Sequence, residues 1–193
     1  MSLAGRLRSA LAAAPAVPPL EGDLPELRAE AGIAAAVLIG ITDRPEPGVL
    51  LTVRHEQLRT HAGQIAFPGG RLDPHEDAVT GALREANEEL GLDSSGIEVV
   101  GSLDDYRTVT GYVITPVVVV LEPDHPLTPH EPEVADWFEA PLGFLLDPAN
   151  QLRRSALLHG TERHYYEIPW QGRRIWGATA AIIVNLSRRL RWS

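Results

Sequence analysis

Residues 70–92 read GRLDPHEDAVTGALREANEELGL, from Gly70 to Leu92. From Glu76 to Leu90 the pattern is helical, and Gly91 follows as a C-terminal stop. At about 100° per residue, Glu85, Glu88 and Glu89 share one stripe, while Val79, Ala82, Leu83, Ala86 and Leu90 form an adjacent apolar stripe that should face a core. Ala78 and Gly81 lie within or beside the acidic stripe, and small residues there leave room for something against the helix. Three carboxylates spaced i, i+3, i+4 repel one another, and two of them sit where the helix dipole disfavours anions. A divalent cation removes that conflict. With only oxygen ligands, and neither Cys nor His in the stripe, the donor set points to Mg²⁺ or Mn²⁺ rather than zinc. On the glutamates alone, a solvated acidic face stays open as the alternative.

Outward from this stretch, the apolar, β-branched run 34–42 is a candidate buried strand, followed by a turn at 43–48 and a second, hairpin-like strand at 49–54. Residues 55–66 read as a polar loop and Phe67-Pro68-Gly69-Gly70 as a turn whose glycines permit close backbone approach. Further strands are predicted over 97–103, 115–121 and 137–140, with a hairpin at 165–170 and 173–175. Short helices are predicted at 3–14 and 141–146, and a terminal one at 177–190. Strands interleaved with helices, and hairpins among them, give an α/β (α+β) class with a mixed sheet. Residues 1–30 read as an N-terminal helix and Pro-rich extension, and 31–193 as the main domain.

The 193-residue chain carries 17 basic and 26 acidic residues, a net charge of −9. The segment 71–93 alone accounts for a net −5. There is no cysteine, and every basic residue is Arg. A Cys nucleophile, a disulfide, a thiolate-bound zinc, a Schiff-base lysine and a Walker-type lysine are thereby excluded. The acidic balance argues against nucleic-acid binding and against an anionic membrane surface. No apolar run reaches the roughly 20 residues needed to span a bilayer. A cytoplasmic location is the expectation.

The segment fits, at each fixed position, G-x5-E-x7-R-E-U-x-E-E-x-G-U with U aliphatic: Gly70, Glu76, Arg84, Glu85, Glu88, Glu89 and Gly91, with Ala86 and Leu92 at the aliphatic sites. This resembles the Nudix box. Upstream, Leu50-Leu51-Thr52-Val53-Arg54-His55, Arg59, Gly63 and Phe67-Pro68-Gly69-Gly70 resemble the signature of that family's coenzyme A pyrophosphatase branch, with His55 in place of the usual Ser or Ala. Ile175-Trp176-Gly177-Ala178-Thr179-Ala180 resembles an element of the same branch. The likeness covers roughly residues 32–185.

The resemblance implies an α/β/α sandwich around a mixed sheet and Mg²⁺- or Mn²⁺-dependent cleavage of a pyrophosphate in a nucleoside diphosphate derivative. The substrate it points to is the small molecule coenzyme A or an acyl-coenzyme A. The alternatives are ADP-ribose, dinucleotides or nucleotide sugars, and a non-catalytic binding module of the same fold. It makes Glu85 and Glu89 the leading metal ligands, with Glu88 sharing the site and the Gly69 carbonyl reaching a metal. It makes Glu76 and Arg84 a brace between loop and helix. The water's proton has candidate acceptors in Glu85, Glu88 and the loop residue Glu133, with Glu131 a weaker rival. Arg54 and Arg59 suit phosphate recognition because a guanidinium grips phosphate oxygens bidentately. Tyr165, Tyr166, Trp170 and Trp176 are candidates to stack on adenine, core packing being the better reading of Trp176. A homodimer, common among such folds, stays open.

Overall fold

A computed structural model describes residues 1–13, 17–23, 32–57, 62–158 and 161–190. Its centre is β1 (Ile33–Thr42), lying parallel to β7 (Tyr112–Leu121) in unbroken register from Ile33 beside Tyr112 to Thr42 beside Leu121. Both strands are near-continuous apolar runs, and a strand of that kind needs cover on both faces. Alternation along β1 supplies it. Ala36 and Leu38 point to one side, where Leu50, Val117 and Val119 join Ala82, Ala86 and Leu90 of helix α2 (Ala78–Leu90). Ile39 and Ile41 point to the other side, packing with Leu51 and Val118, with Leu7 of helix α1 (Leu3–Ala12) and with Ile182 and Leu186 of the last helix.

Around this pair, β2 (Gly48–Arg54), β3 (Ile65–Ala66), β4 (Gly69–Arg71), β5 (Ile97–Ser102), β6 (Tyr106–Arg107) and β8 (Val134–Pro141) complete, among the described residues, an eight-stranded mixed sheet. Its main path runs β3-β2-β1-β7-β5, with β4 beside β1, β6 beside β7 and β8 beside β2. After α3 (Leu142–Leu146), a three-stranded sheet is built from β9 (Leu152–Leu158), β10 (Thr161–Trp170) and β11 (Arg173–Trp176), and α4 (Ala178–Leu190) closes the fold. The result is the mixed α/β architecture expected from the sequence, with helices on both faces of the central sheet.

Several details differ from the sequence reading. The β1–β2 hairpin is paired only near its turn, at Ile41 and Val49, and β2 takes β8 as its long partner. The Gly69-Gly70 turn is also a short strand, pairing Val37, Ala36 and Ala35 of β1 with Gly69, Gly70 and Arg71. β9 escapes the reading because its exposed residues, Arg153 and Arg154 among them, carry no apolar alternation. Helix α1 sits in the same core as the sheet through Leu3, Ala4, Leu7 and Leu11. Beyond it, Leu20 is fastened to α4: its N–H donates to Asn185 Oδ1 at 2.7 Å, and Asn185 Nδ2 donates to its carbonyl at 2.8 Å. Among the described residues, no helix is long and apolar enough to cross a membrane.

Candidate active site

Helix α2 starts where Asp77 caps it, accepting from the N–H groups of Val79 and Thr80 at 3.0 Å each. These bonds satisfy donors that have no partner within the helix, and they hold the Asp77 carboxyl below its usual range. The helix ends at Gly91, whose φ of 64° is the left-handed conformation that favours glycine. Between these caps the three glutamates are differently placed. Glu89 is buried, Glu85 is half-buried and Glu88 is exposed.

The glycines of β4 explain that difference. A Cβ at Gly70 would fall on the Glu85 carboxylate, with both oxygens 2.5 Å away, so the missing side chain is what lets Glu85 lie against the sheet. Next to it, the Gly69 N–H donates to Glu89 Oε2 at 3.3 Å, and Arg54 Nη1, from the end of β2, lies 3.7 Å from Glu89 Oε1. Burial pushes the Glu89 carboxyl up to about 7 against the pull of Arg54 and the Gly69 N–H. Burial likewise raises Glu85, opposed chiefly by Arg84. Among the described residues, Arg54 Nε is buried without a hydrogen-bond partner.

Arg84 is the hub on the other side. Its Nε and Nη2 grip Glu76 at 2.9 Å each, Nη2 also reaches the Arg71 carbonyl at 3.0 Å, and Nη1 meets Glu85 at 3.0 Å and Glu88 at 3.2 Å. Glu76 in turn accepts from the Asp73 N–H at 2.9 Å. The loop 71–76 is thus tied to α2 by a charge-assisted fork. The room that Gly81 was expected to leave is taken by the chain itself. A Cβ there would collide with the Leu72 side chain and come within 3.0 Å of Glu76 Oε2.

A loop closes the remaining edge. Thr128 N–H donates to the Leu90 carbonyl at 2.6 Å and His130 N–H to the Glu89 carbonyl at 2.8 Å, capping the end of α2. The Glu133 carbonyl accepts from His55 N–H at 2.8 Å, beside the end of β2. The Glu133 charge reaches both Glu85 and Glu89, raising each. Glu133 itself is exposed and meets His130 at 3.4 Å.

The structure therefore brings Arg54, Gly69, Gly70, Glu85, Glu89 and Glu133 together, with Glu88 on the solvent side and Glu76 and Arg84 behind. Arg59 and His61 lie outside the described residues. Of the aromatic candidates, Trp170 stacks on Phe138 with centroids 5.3 Å apart, Trp176 stands edge-on to Tyr165 at 6.0 Å under Arg174, and Tyr166 packs against the core. Glu131 is exposed in the loop.

Carboxylates gathered on a helix end, interleaved with arginines and laid on a mixed sheet, form a charged site whose chemistry suits an anionic ligand and a divalent ion. A family model for the NUDIX domain matches residues 31–159, and the chain belongs to the Nudix family as a pyrophosphohydrolase. Over 163 residues it is 43% identical to an uncharacterized Nudix hydrolase, NudL, of Escherichia coli (strain K12 / DH10B), covering 81% of this chain and 82% of that protein. The crystal structure of a Nudix hydrolase from M. smegmatis, RenU, shares the fold with a TM-score of 0.50 at 24% identity, over 57% of this chain and 71% of that one.

Nudix hydrolases generally use divalent metal ions. Among the described residues, no three His, Asp or Glu side chains stand close enough to hold a metal ion as they are placed; the glutamates instead meet Arg84 and Arg54. The donor chemistry nevertheless fits such an ion. The oxygens of Glu85 and Glu89 flank the Gly69-Gly70 backbone, and among the described residues buried Glu89 has one N–H bond and a 3.7 Å ion pair to offset its charge.

Proposed function

We propose that the chain hydrolyses the pyrophosphate bond of coenzyme A or an acyl-coenzyme A in a Mg²⁺- or Mn²⁺-dependent reaction. The products are adenosine 3′,5′-bisphosphate and (acyl-)4′-phosphopantetheine. Supporting this reading above all is the approach of Arg54 to Glu89. The segment from Leu50 to Gly70, which resembles the coenzyme A pyrophosphatase signature, ends its strand with a guanidinium 3.7 Å from the buried box carboxylate. Phosphate recognition and ion binding then fall in one place.

In this reading Glu85, Glu88 and Glu89 hold the ion with the Gly69 carbonyl. When bound, it offsets the charge of the diphosphate oxygens and acidifies a water. Arg54 takes phosphate oxygens through its planar fork, and Arg59 is the second arginine of the same segment. Glu133 accepts the proton of the attacking water, with Glu85 and Glu88 as the alternatives. The water oxygen bonds to one phosphorus as the bridging P–O bond breaks, and the bridging oxygen leaves on the other phosphate. Gly70, Glu76, Arg84 and Gly91 keep the carboxylates in position.

The test is a hydrolysis panel of coenzyme A, dephospho-coenzyme A and ADP-ribose, with Mg²⁺ or Mn²⁺ and products resolved by chromatography. Coenzyme A should be cleaved fastest. Equal rates across the panel would remove the assignment to coenzyme A and leave a broader nucleoside diphosphate hydrolase.

A further inference from the structure

Trp137 is 37% exposed, and among the described residues its indole has no hydrogen bond and no ring or cation partner. An indole this large is ordinarily buried for most of its surface and finds a partner for its N–H. Its place in the sheet gives it a direction. Trp137 of edge strand β8 lies directly opposite Thr52 of β2, and paired residues in an antiparallel ladder share a face.

That face is the one toward α2. Leu50, two residues from Thr52, packs with Ala82 and Ala86 of the helix, and Arg54, two residues the other way, reaches Glu89. The neighbours of Trp137 on β8 point the opposite way. Phe138 stacks on Trp170, and Asp136 pairs with Arg173 at 2.8 Å. These contacts behind the strand fix the backbone that carries the indole. Trp137 and Arg54 thus share a face of the β2–β8 pair, offset by two residues along β2, roughly 7 Å, with the register shifted between Val53 and Arg54 so that Arg54 pairs with Val134. That span suits a sugar between a phosphate at one end and a planar base at the other.

We propose that Trp137 is the base-stacking platform of this site, taking the aromatic base of a nucleotide whose phosphate lies at Arg54. This deepens the reading of the chain as a hydrolase of nucleoside diphosphate derivatives and rests on it. Arg54 supplies the charge and Trp137 the flat apolar surface, both on rigid strands, so the two halves of a nucleotide are met by preformed groups. Stacking on an aromatic ring tolerates any base, so Trp137 strengthens binding of the base half without setting which base is preferred.

The experiment is calorimetric titration of the whole chain with AMP and, separately, with ribose 5-phosphate, which has the phosphate and sugar but no base. The wild type should bind AMP more tightly than ribose 5-phosphate. Trp137→Leu should weaken AMP about tenfold, as expected for one lost stacking partner, with ribose 5-phosphate unchanged, and Trp137→Phe should restore most of the loss. The proposal is overturned if the wild type makes no distinction between the two ligands. It is equally overturned if Trp137→Leu binds AMP as the wild type does, or loses both ligands to the same degree. No hydrolysis occurs in these titrations. Failure of the chain to cleave coenzyme A would therefore leave the AMP difference standing, and loss of the AMP difference would leave any hydrolysis standing.

Discussion

Glu89 carries a carboxyl into a nearly closed space, where burial raises it to about 7 while Arg54 and the Gly69 N–H oppose the rise. Stability alone would not select such a placement. The two glycines beside it separate structure from chemistry. At Gly69 a Cβ would strike the Ala36 carbonyl and lie 2.7 Å from Val37 Cα, backbone that cannot move away. At Gly70 it would strike only the mobile end of Glu85. Gly69→Ala should therefore lower the thermal midpoint markedly. Gly70→Ala should leave it near wild type and cut the hydrolysis rate by about tenfold, on the scale of a displaced ligand-orienting group. Differential scanning fluorimetry and a rate assay on both variants check the pair, and equal melting losses would contradict the distinction. The grouping of Glu85, Glu88 and Glu89 on one stripe of the helix is legible from their spacing in the sequence. The burial of Glu89 beside an exposed Glu88 is not, because a helical wheel gives directions and not what covers them. Here the cover comes from β4 and the loop 128–133, far along the chain.

At the level of elements, α2 depends on its N-terminal approach. The carboxyl of Glu76 is held below its ordinary value of 4.5, first by hydrogen bonds from Arg84 and then by the Asp73 N–H. Asp77 is held below 3.8, first by the Thr80 N–H. A carboxylate depressed in the folded state adds stability that is complete above its unfolded value and disappears as pH falls through the folded one. The thermal midpoint should therefore fall as pH drops below about 4.5. Glu76→Gln should melt lower than wild type at neutral pH and lose part of that acid slope. Scanning calorimetry from neutral pH to about pH 3 would show it, and an undiminished slope in the variant would contradict it. The body of α2 and its Gly91 stop are readable in advance. The start is set by Asp77 and not by Glu76, because the Asp77 side chain closes the first turn. Strand partners are harder to read. β1 is apolar on both faces, so its composition does not say whether β2, β4 or β7 lies alongside. β9 is exposed and charged, so it carries no pattern to read.

For the molecule as a whole, the net charge of −9 is unevenly spread, and the loop and helix 71–93 hold −5 of it. Arg84 and Arg54 interleave with that concentration from within the fold. The α/β class and mixed sheet are legible from interleaved strands and helices, whereas the packing of residues 3–12 is not, since a short Ala-rich helix names no partner. Leu7 is fully buried in the core shared with α4. Leu7→Ala should cost about 2–5 kcal/mol, the range for a truncated core leucine, measured by urea denaturation, and a loss near zero would show that α1 is dispensable to the core. The central claim is that the buried carboxylates of α2 bind the divalent ion through which a pyrophosphate is cleaved. Its most direct test is Glu89→Gln, compared with wild type for Mn²⁺ binding by electron paramagnetic resonance and for hydrolysis of coenzyme A. The expected result is a folded variant that binds Mn²⁺ more weakly and hydrolyses more slowly by more than the roughly 10–100-fold typical of outer-shell losses. A folded variant with wild-type Mn²⁺ affinity and wild-type turnover would contradict the claim.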